Sequence, residues 1–145
     1  MEASADQRAL RATAEAVNSG RKYETLVRSG RHTFVSDELP ELEGGDLGPD
    51  PFSYLCGALA SCTVITLRMY AGRKGWVLPE ITARVDLLPD PDPVTGNNLF
   101  HTVVSYSGNL TAEQEARLLY IARACPVHRL LTRAGTVTTV LERLL

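Results

Sequence analysis

The sequence predicts an α+β fold in which antiparallel strands carry two packed helices. Short segments with period-two or β-branched character lie towards both ends of the chain. A continuous apolar stretch with helical spacing lies between them, and tight turn signals join neighbouring strands.

In chain order, Leu10, Ala12, Ala14 and Ala16 alternate with Arg11, Thr13 and Glu15, which predicts a half-buried strand ending at the Asn18-Ser19-Gly20 turn. Lys22–Arg28 and Arg31–Ser36 flank a Ser29-Gly30 turn, so residues 9–36 form a three-stranded meander. Asp37–Asp50 holds two prolines, three glycines and six acids and is a loop. Pro51 suits a first helical position because its missing N–H costs nothing there. A long helix then runs to Lys74, before Gly75. Leu55, Leu59, Cys62, Thr66 and Met69 share one face, while Cys56, Ala60, Val64 and Leu67 lie opposite. A helix apolar nearly all round is expected to be central and buried. Ile81–Leu88 and Asn98–Ser107 are strands joined through Pro89–Pro93 and a Thr95-Gly96-Asn97 turn. Thr111 and Gln114 frame a capping box for a helix with the stripe Leu118, Leu119, Ile121 and Ala122. Pro126 disfavours helical geometry at Cys125 and predicts a break there, followed by a short helix over Val127–Leu131. Gly135 precedes a last strand, Thr136–Leu141. The order is β-β-β-α-β-β-α-α-β, in one domain spanning residues 1–145.

The 145 residues are 44% apolar and 22% charged, with net charge −2. Nothing in that balance points to a nucleic-acid or anionic-membrane partner. The opening MEASADQRALR carries early acids and no apolar core, so no secretory signal is expected. The apolar stretch from Phe52 to Leu67 is interrupted by Ser53, Ser61, Thr63 and Thr66. It is shorter and more polar than the roughly 20 apolar residues of a membrane span. A cytoplasmic location is the expectation. The odd set of three cysteines, Cys56, Cys62 and Cys125, argues for reduced thiols rather than a disulfide framework.

Peroxide reduction by a thiol needs the thiolate. An ordinary cysteine with pKa near 8.5 is about 3% ionised at pH 7, and a shift to about 6 takes that to roughly 90% for about 3.4 kcal/mol. A guanidinium about 4 Å away supplies on the order of 4 kcal/mol at an effective dielectric of 20, before desolvation opposes it. Cys62 lies mid-helix, where a cysteine without such a cation is an inert small hydrophobe. Cys125, with Pro126 opening a helix, would sit near exposed N–H groups and the positive end of the helix dipole. Cys56 lies six residues before Cys62, hence on another face, and is read as core. Cys125 and His128 form a C-x-x-H pair, half of a metal site. A closed zinc site needs four ligands, which Cys62 does not complete, so no metal or cofactor is expected.

Two segments carry a family resemblance: GPDPFSYLCGALASCTVITLRMYAGRKG (48–75) and CPVHRLL (125–131). The first resembles the OsmC and organic-hydroperoxide-resistance pattern, in which G-x-x-P opens a central helix and a cysteine follows eleven residues later. Cys62 holds that place relative to Pro51. The second is similar to the C-P-V-H segment of one OsmC-like branch, which the DE at Asp37-Glu38 and the GG at Gly44-Gly45 also resemble. The resemblance implies antiparallel sheets packed on two central helices in an intertwined homodimer. It further implies a peroxidatic Cys62, a resolving Cys125, an organic hydroperoxide substrate and a dithiol or lipoyl-type reductant. An arginine from the N-terminal strands would stabilise the thiolate, with Arg31 preferred over Arg28. The chain departs from the family pattern at Phe52 and Ser53, where a glutamate commonly pairs with that arginine. Glu38 is the alternative carboxylate, and Phe52 could line an apolar pocket. Two functions therefore compete: a Cys-based peroxidase, or a non-enzymatic dimer of the same fold that binds a small apolar or thiol-reactive ligand.

Overall fold

The computed structural model describes residues 9–92, 94–133 and 135–144; residues 1–8 of the acidic opening and Pro93 of the proline-rich turn lie outside them. The fold class is α+β, with two antiparallel sheets and three α-helices. The chain falls into two compact units, Met1–Tyr54 and Leu55–Leu145.

The first unit is built on β1 (Glu15–Val17), β2 (Thr25–Ser29) and β3 (His32–Ser36), in the order β1-β2-β3. β1 is much shorter than the alternation from Leu10 predicts, and its register gives the reason. Glu15 faces Arg28, so β2 runs into its Gly30-Arg31 turn just where Leu10–Thr13 would need partners. Asn18 shapes the first turn, donating from Nδ2 to the carbonyls of Lys22 (2.7 Å) and Glu24 (3.2 Å) and accepting the Gly20 N–H (3.0 Å).

The acidic loop is organised by Asp37. Its carboxylate accepts the N–H groups of Glu38 (2.7 Å) and Leu47 (3.2 Å), and a short 3-10 turn spans Pro40–Leu42. Tyr54, in the first turn of α1 (Pro51–Lys74), donates its hydroxyl to the Val35 carbonyl and packs on Phe34 with ring centroids 5.0 Å apart.

The second unit holds the remainder of α1, β4 (Ile81–Leu88), β5 (Leu99–Tyr106), α2 (Ala112–Arg123) and α3 (Pro126–Thr132). β4 and β5 pair antiparallel from Ile81↔Tyr106 to Leu88↔Leu99. Phe100, Thr102, Val104 and Tyr106 turn inward at every second position, as a sheet with one covered face requires. The core is Leu67, Ala71, Leu78, Leu118 and Ala122, flanked by Trp76, Ile81, Val104 and Tyr106. The capping box forms as expected: the Thr111 hydroxyl accepts the Gln114 N–H (3.1 Å) while the Gln114 side chain accepts the Thr111 N–H (2.8 Å).

Three expectations change. Within this chain α1 buries only Leu59, Thr63, Leu67 and Ala71 fully. Phe52, Leu55, Ile65 and Met69 are 66, 44, 52 and 60% exposed. Against the expectation that the apolar stretch is too short and too polar to span a membrane, the 24-residue α1 is by length and composition long enough and apolar enough to cross one, a test that core helices also pass. Finally, Thr136–Leu141 forms no strand. Residues 135–144 have no ladder partner, and Val137 and Leu141 are 91 and 98% exposed. β-branched side chains favour a strand only where an edge is available to pair with.

Candidate active site

Cys62 sits mid-way along α1 and is half-buried, whereas Cys125 is fully enclosed, 0% exposed. Cys125 occupies the N-cap of α3, and the chain reaches it through a tight exit from α2. Ala124 N–H bonds to the Ile121 carbonyl (3.0 Å) and Cys125 N–H to that of Ala122 (3.3 Å). This exit brings the Cys125 sulfur beside Cys62, whose side chain is one of the groups that act on the Cys125 thiol. Sequence alone left open whether these sulfurs meet; within the second unit they do.

The electrostatics of Cys125 differ from the sequence expectation. The backbone N–H groups of His128 and Val127 point towards its sulfur and favour the thiolate, without closing a full capping bond. Burial nonetheless dominates, joined by the neighbouring Cys62, and the thiol is raised above the ordinary cysteine value. Enclosure removes the water that would solvate a thiolate, and two N–H dipoles do not replace it.

A cavity of about 670 Å³ in the same unit is lined by Leu59, Thr63, His101, Ala122, Arg123 and His128, among others, and by neither cysteine. Among the described residues, no three His, Cys, Asp or Glu side chains gather as metal ligands, and Cys62, Cys125 and His128 do not form such a group. Cys56 is half-buried rather than core.

The remaining predicted residues belong to the first unit. Arg31 is exposed at the tip of the β2–β3 hairpin, and Arg28 projects from β2 opposite Thr33. Glu38 lines a cavity of about 510 Å³ with Tyr23, Phe34, Asp37, Pro51 and Tyr54.

Residues 44–140 match the family model of OsmC-like proteins. The chain belongs to the OsmC-like family. No curated protein matches it. Solved structures share its fold at low identity. The OsmC-like protein of Mycoplasma pneumoniae is 19% identical with a TM-score of 0.67, over 86% of this chain and 89% of that one. An organic hydroperoxide resistance protein OsmC from Legionella pneumophila is 18% identical with a TM-score of 0.64, over 86% and 91%. The organic hydroperoxide resistance protein OhrB of Bacillus subtilis is 22% identical with a TM-score of 0.56, over 83% and 90%.

Two acidic residues of this OsmC-like chain escaped the sequence reading. Asp50, immediately before α1, accepts a hydrogen bond from the Ser53 hydroxyl, so a carboxylate does stand at the helix entrance although Phe52 and Ser53 do not supply it. Its position beside Pro51 was the available signal. Asp37, only 3% exposed, is held below the ordinary carboxylate range chiefly by the Glu38 N–H, with help from those of Leu47 and Gly45.

These shifts set the pH limits of stability. A depressed carboxyl contributes stability above its unfolded pKa and loses it as pH falls through the folded value. A raised thiol contributes below its unfolded pKa and loses stability as pH rises towards the folded value. Asp37→Asn is expected to flatten the fall in melting temperature below pH 4, and Cys125→Ala the fall above pH 9. Melting curves across pH 2–11 would show no such flattening if the two groups are not responsible.

Proposed function

We propose that this OsmC-like chain is a thiol-dependent peroxidase that reduces organic hydroperoxides to alcohols. The observation that carries the reading is that half-buried Cys62 and enclosed Cys125 are neighbours in a chain of this family. Two relatives named for organic hydroperoxide resistance support the substrate class. In the proposed cycle the Cys62 thiolate attacks the distal peroxide oxygen, the O–O bond breaks, and the alkoxide takes a proton to become the alcohol. Cys62 is then a sulfenic acid. The Cys125 sulfur displaces its hydroxyl, forming a Cys62–Cys125 disulfide and releasing water. A dithiol or lipoyl-type reductant supplies two electrons and two protons to regenerate both thiols.

Arg31 is proposed to favour the Cys62 thiolate, with Glu38 orienting it. The working unit is proposed to be one OsmC-like domain over residues 1–145, acting in the cytoplasm as an intertwined homodimer. The uncovered apolar side of α1 supports the dimer, since exposed patches of this kind mark interaction surfaces. A second reading, a non-enzymatic dimer that binds a small apolar or thiol-reactive ligand, is favoured by Phe52 and Ser53 standing where the family commonly has glutamate.

One equivalent of cumene hydroperoxide, followed by mass-spectrometric thiol mapping, separates the two. The peroxidase yields a Cys62–Cys125 disulfide within a single turnover, and none in Cys62→Ser. Slow, scattered oxidation indifferent to Cys62→Ser would leave the binding module.

A further inference from the structure

Inside the second unit, α1 meets the segment from α2 to Cys125 at two rungs. One is Cys62 with Cys125; the other is Tyr70 with Arg117. Tyr70 lies eight residues after Cys62, and Arg117 lies eight residues before Cys125. The two segments therefore run antiparallel in matched register, with the rungs about 12 Å apart along α1. Between them pack Leu67, Leu118 and Ala122, with Ala71 just beyond Tyr70, small or aliphatic side chains that attract without direction and tolerate sliding.

The Tyr70–Arg117 rung is directional. Arg117 Nε donates to Tyr70 Oη at 3.0 Å, and its guanidinium lies 5.7 Å from the Tyr70 ring centroid and 4.8 Å from that of Tyr120. Tyr70 is itself braced by Trp76, edge-on at 5.4 Å, and by the Lys74 ammonium 5.7 Å over its ring. A planar cation held by one hydrogen bond and two aromatic faces fixes both the height and the rotation of α2 against α1. A disulfide demands such fixing, because it closes only over a narrow range of Cα separation and Cβ direction.

We infer that Tyr70 and Arg117 are positioning residues, which hold α1 and α2 in the one register where Cys62 and Cys125 can join. The inference deepens the proposed peroxidase reading, yet its central quantity is measurable without any peroxide.

The test equilibrates the purified full-length protein in glutathione redox buffers and measures how much Cys62–Cys125 disulfide forms. In that exchange oxidised glutathione takes up the two electrons of the thiol pair and departs as two glutathione thiols. Tyr70→Phe keeps the ring and deletes the bond; Arg117→Met also removes the cation. The equilibrium constant for the disulfide is expected to fall about 10-fold in the first and on the order of 100-fold in the second, since small misplacements of reacting groups have effects of this size. Arg84→Met, which removes an exposed partner of Asp86 on the sheet, leaves it unchanged. With cumene hydroperoxide, both rung variants form the sulfenic acid at the parental rate, and a larger fraction is captured by dimedone before the disulfide closes.

Parental equilibrium constants in Tyr70→Phe and Arg117→Met overturn the inference, including the case where their melting temperatures fall, which would mark a merely structural bond. An equal drop in Arg84→Met overturns it too. Should Arg117→Met not fold, Tyr70→Phe decides alone. If the parental protein forms no sulfenic acid, the peroxidase reading fails while the glutathione equilibrium still judges the rung.

Discussion

Cys125→Ser is expected to stop turnover while sparing the first oxidation. The variant consumes one equivalent of organic hydroperoxide per Cys62, and steady-state consumption with a dithiol reductant then falls about 100-fold or more, because an intramolecular partner at high effective concentration has been lost. Serine is nearly isosteric with cysteine and keeps a hydroxyl in place of the thiol that meets Cys62. The fold is therefore expected to survive with a cost of about 1 kcal/mol. Mass spectrometry identifies the trapped state: Cys62 gains one oxygen, reacts with dimedone, and under excess peroxide advances to the sulfinic acid, which a dithiol does not reverse. Undiminished multiple turnover in Cys125→Ser would remove Cys125 from the cycle.

Gly48→Ala is expected to be strongly destabilising for a change of one methyl group. A Cβ on Gly48 would stand 2.1 Å from the Val35 carbonyl oxygen and 2.7 Å from its carbon. Both are backbone atoms in the β2–β3 ladder, so no side chain can swing aside. The same carbonyl accepts the Tyr54 hydroxyl, so displacing it disturbs the first turn of α1 as well. Steric conflict with fixed backbone places the change among the large single-site effects, about 3 kcal/mol, or about 10 °C in melting temperature for a domain of this size. Gly57→Ala is the matched control. It lies inside α1 with nothing within 4 Å of the added carbon, and alanine there is expected to stabilise by about 0.5–1 kcal/mol. Melting temperatures that shift equally in the two variants would refute the close-approach explanation. The comparison also gives the glycine of the G-x-x-P motif a physical reason: it lets the loop lie against β3.

Local signals proved legible where one segment settles its own structure. The Pro51 start and Gly75 stop of α1, the Thr111 capping box and the Ile81–Leu88 strand all follow from short-range chemistry, and all appear at the expected positions. Segments that need a distant partner were less legible. Leu10–Thr13 and Thr136–Leu141 both have strand-like composition, and neither finds an edge within this chain. The cysteines divide in the same way. Their identities and helical faces follow from spacing, and Pro126 marks the break at Cys125, but their meeting depends on the path out of α2, which turns on backbone bonds of Ala124 and Cys125. The direction of the Cys125 shift was misjudged for a related reason. A proline at a helix start announces N–H donors, whereas complete enclosure of the sulfur comes from the packing of residues remote in sequence.

The unequal burial of the two thiols also bears on how the proposed disulfide would be reopened. A soluble thiol meets the sulfur of half-buried Cys62 before that of enclosed Cys125, so the mixed disulfide forms on Cys62 and Cys125 is the leaving group. Exchange is faster when the departing thiol is more acidic, and Cys125 is shifted the other way. Its departure is slow, and a mixed disulfide with a single thiol can collapse back before a second molecule arrives. A dithiol carries its second sulfur with it and completes the exchange within the encounter. In the proposed cycle, the burial that raises the Cys125 thiol would therefore favour reductants that deliver two thiols at once.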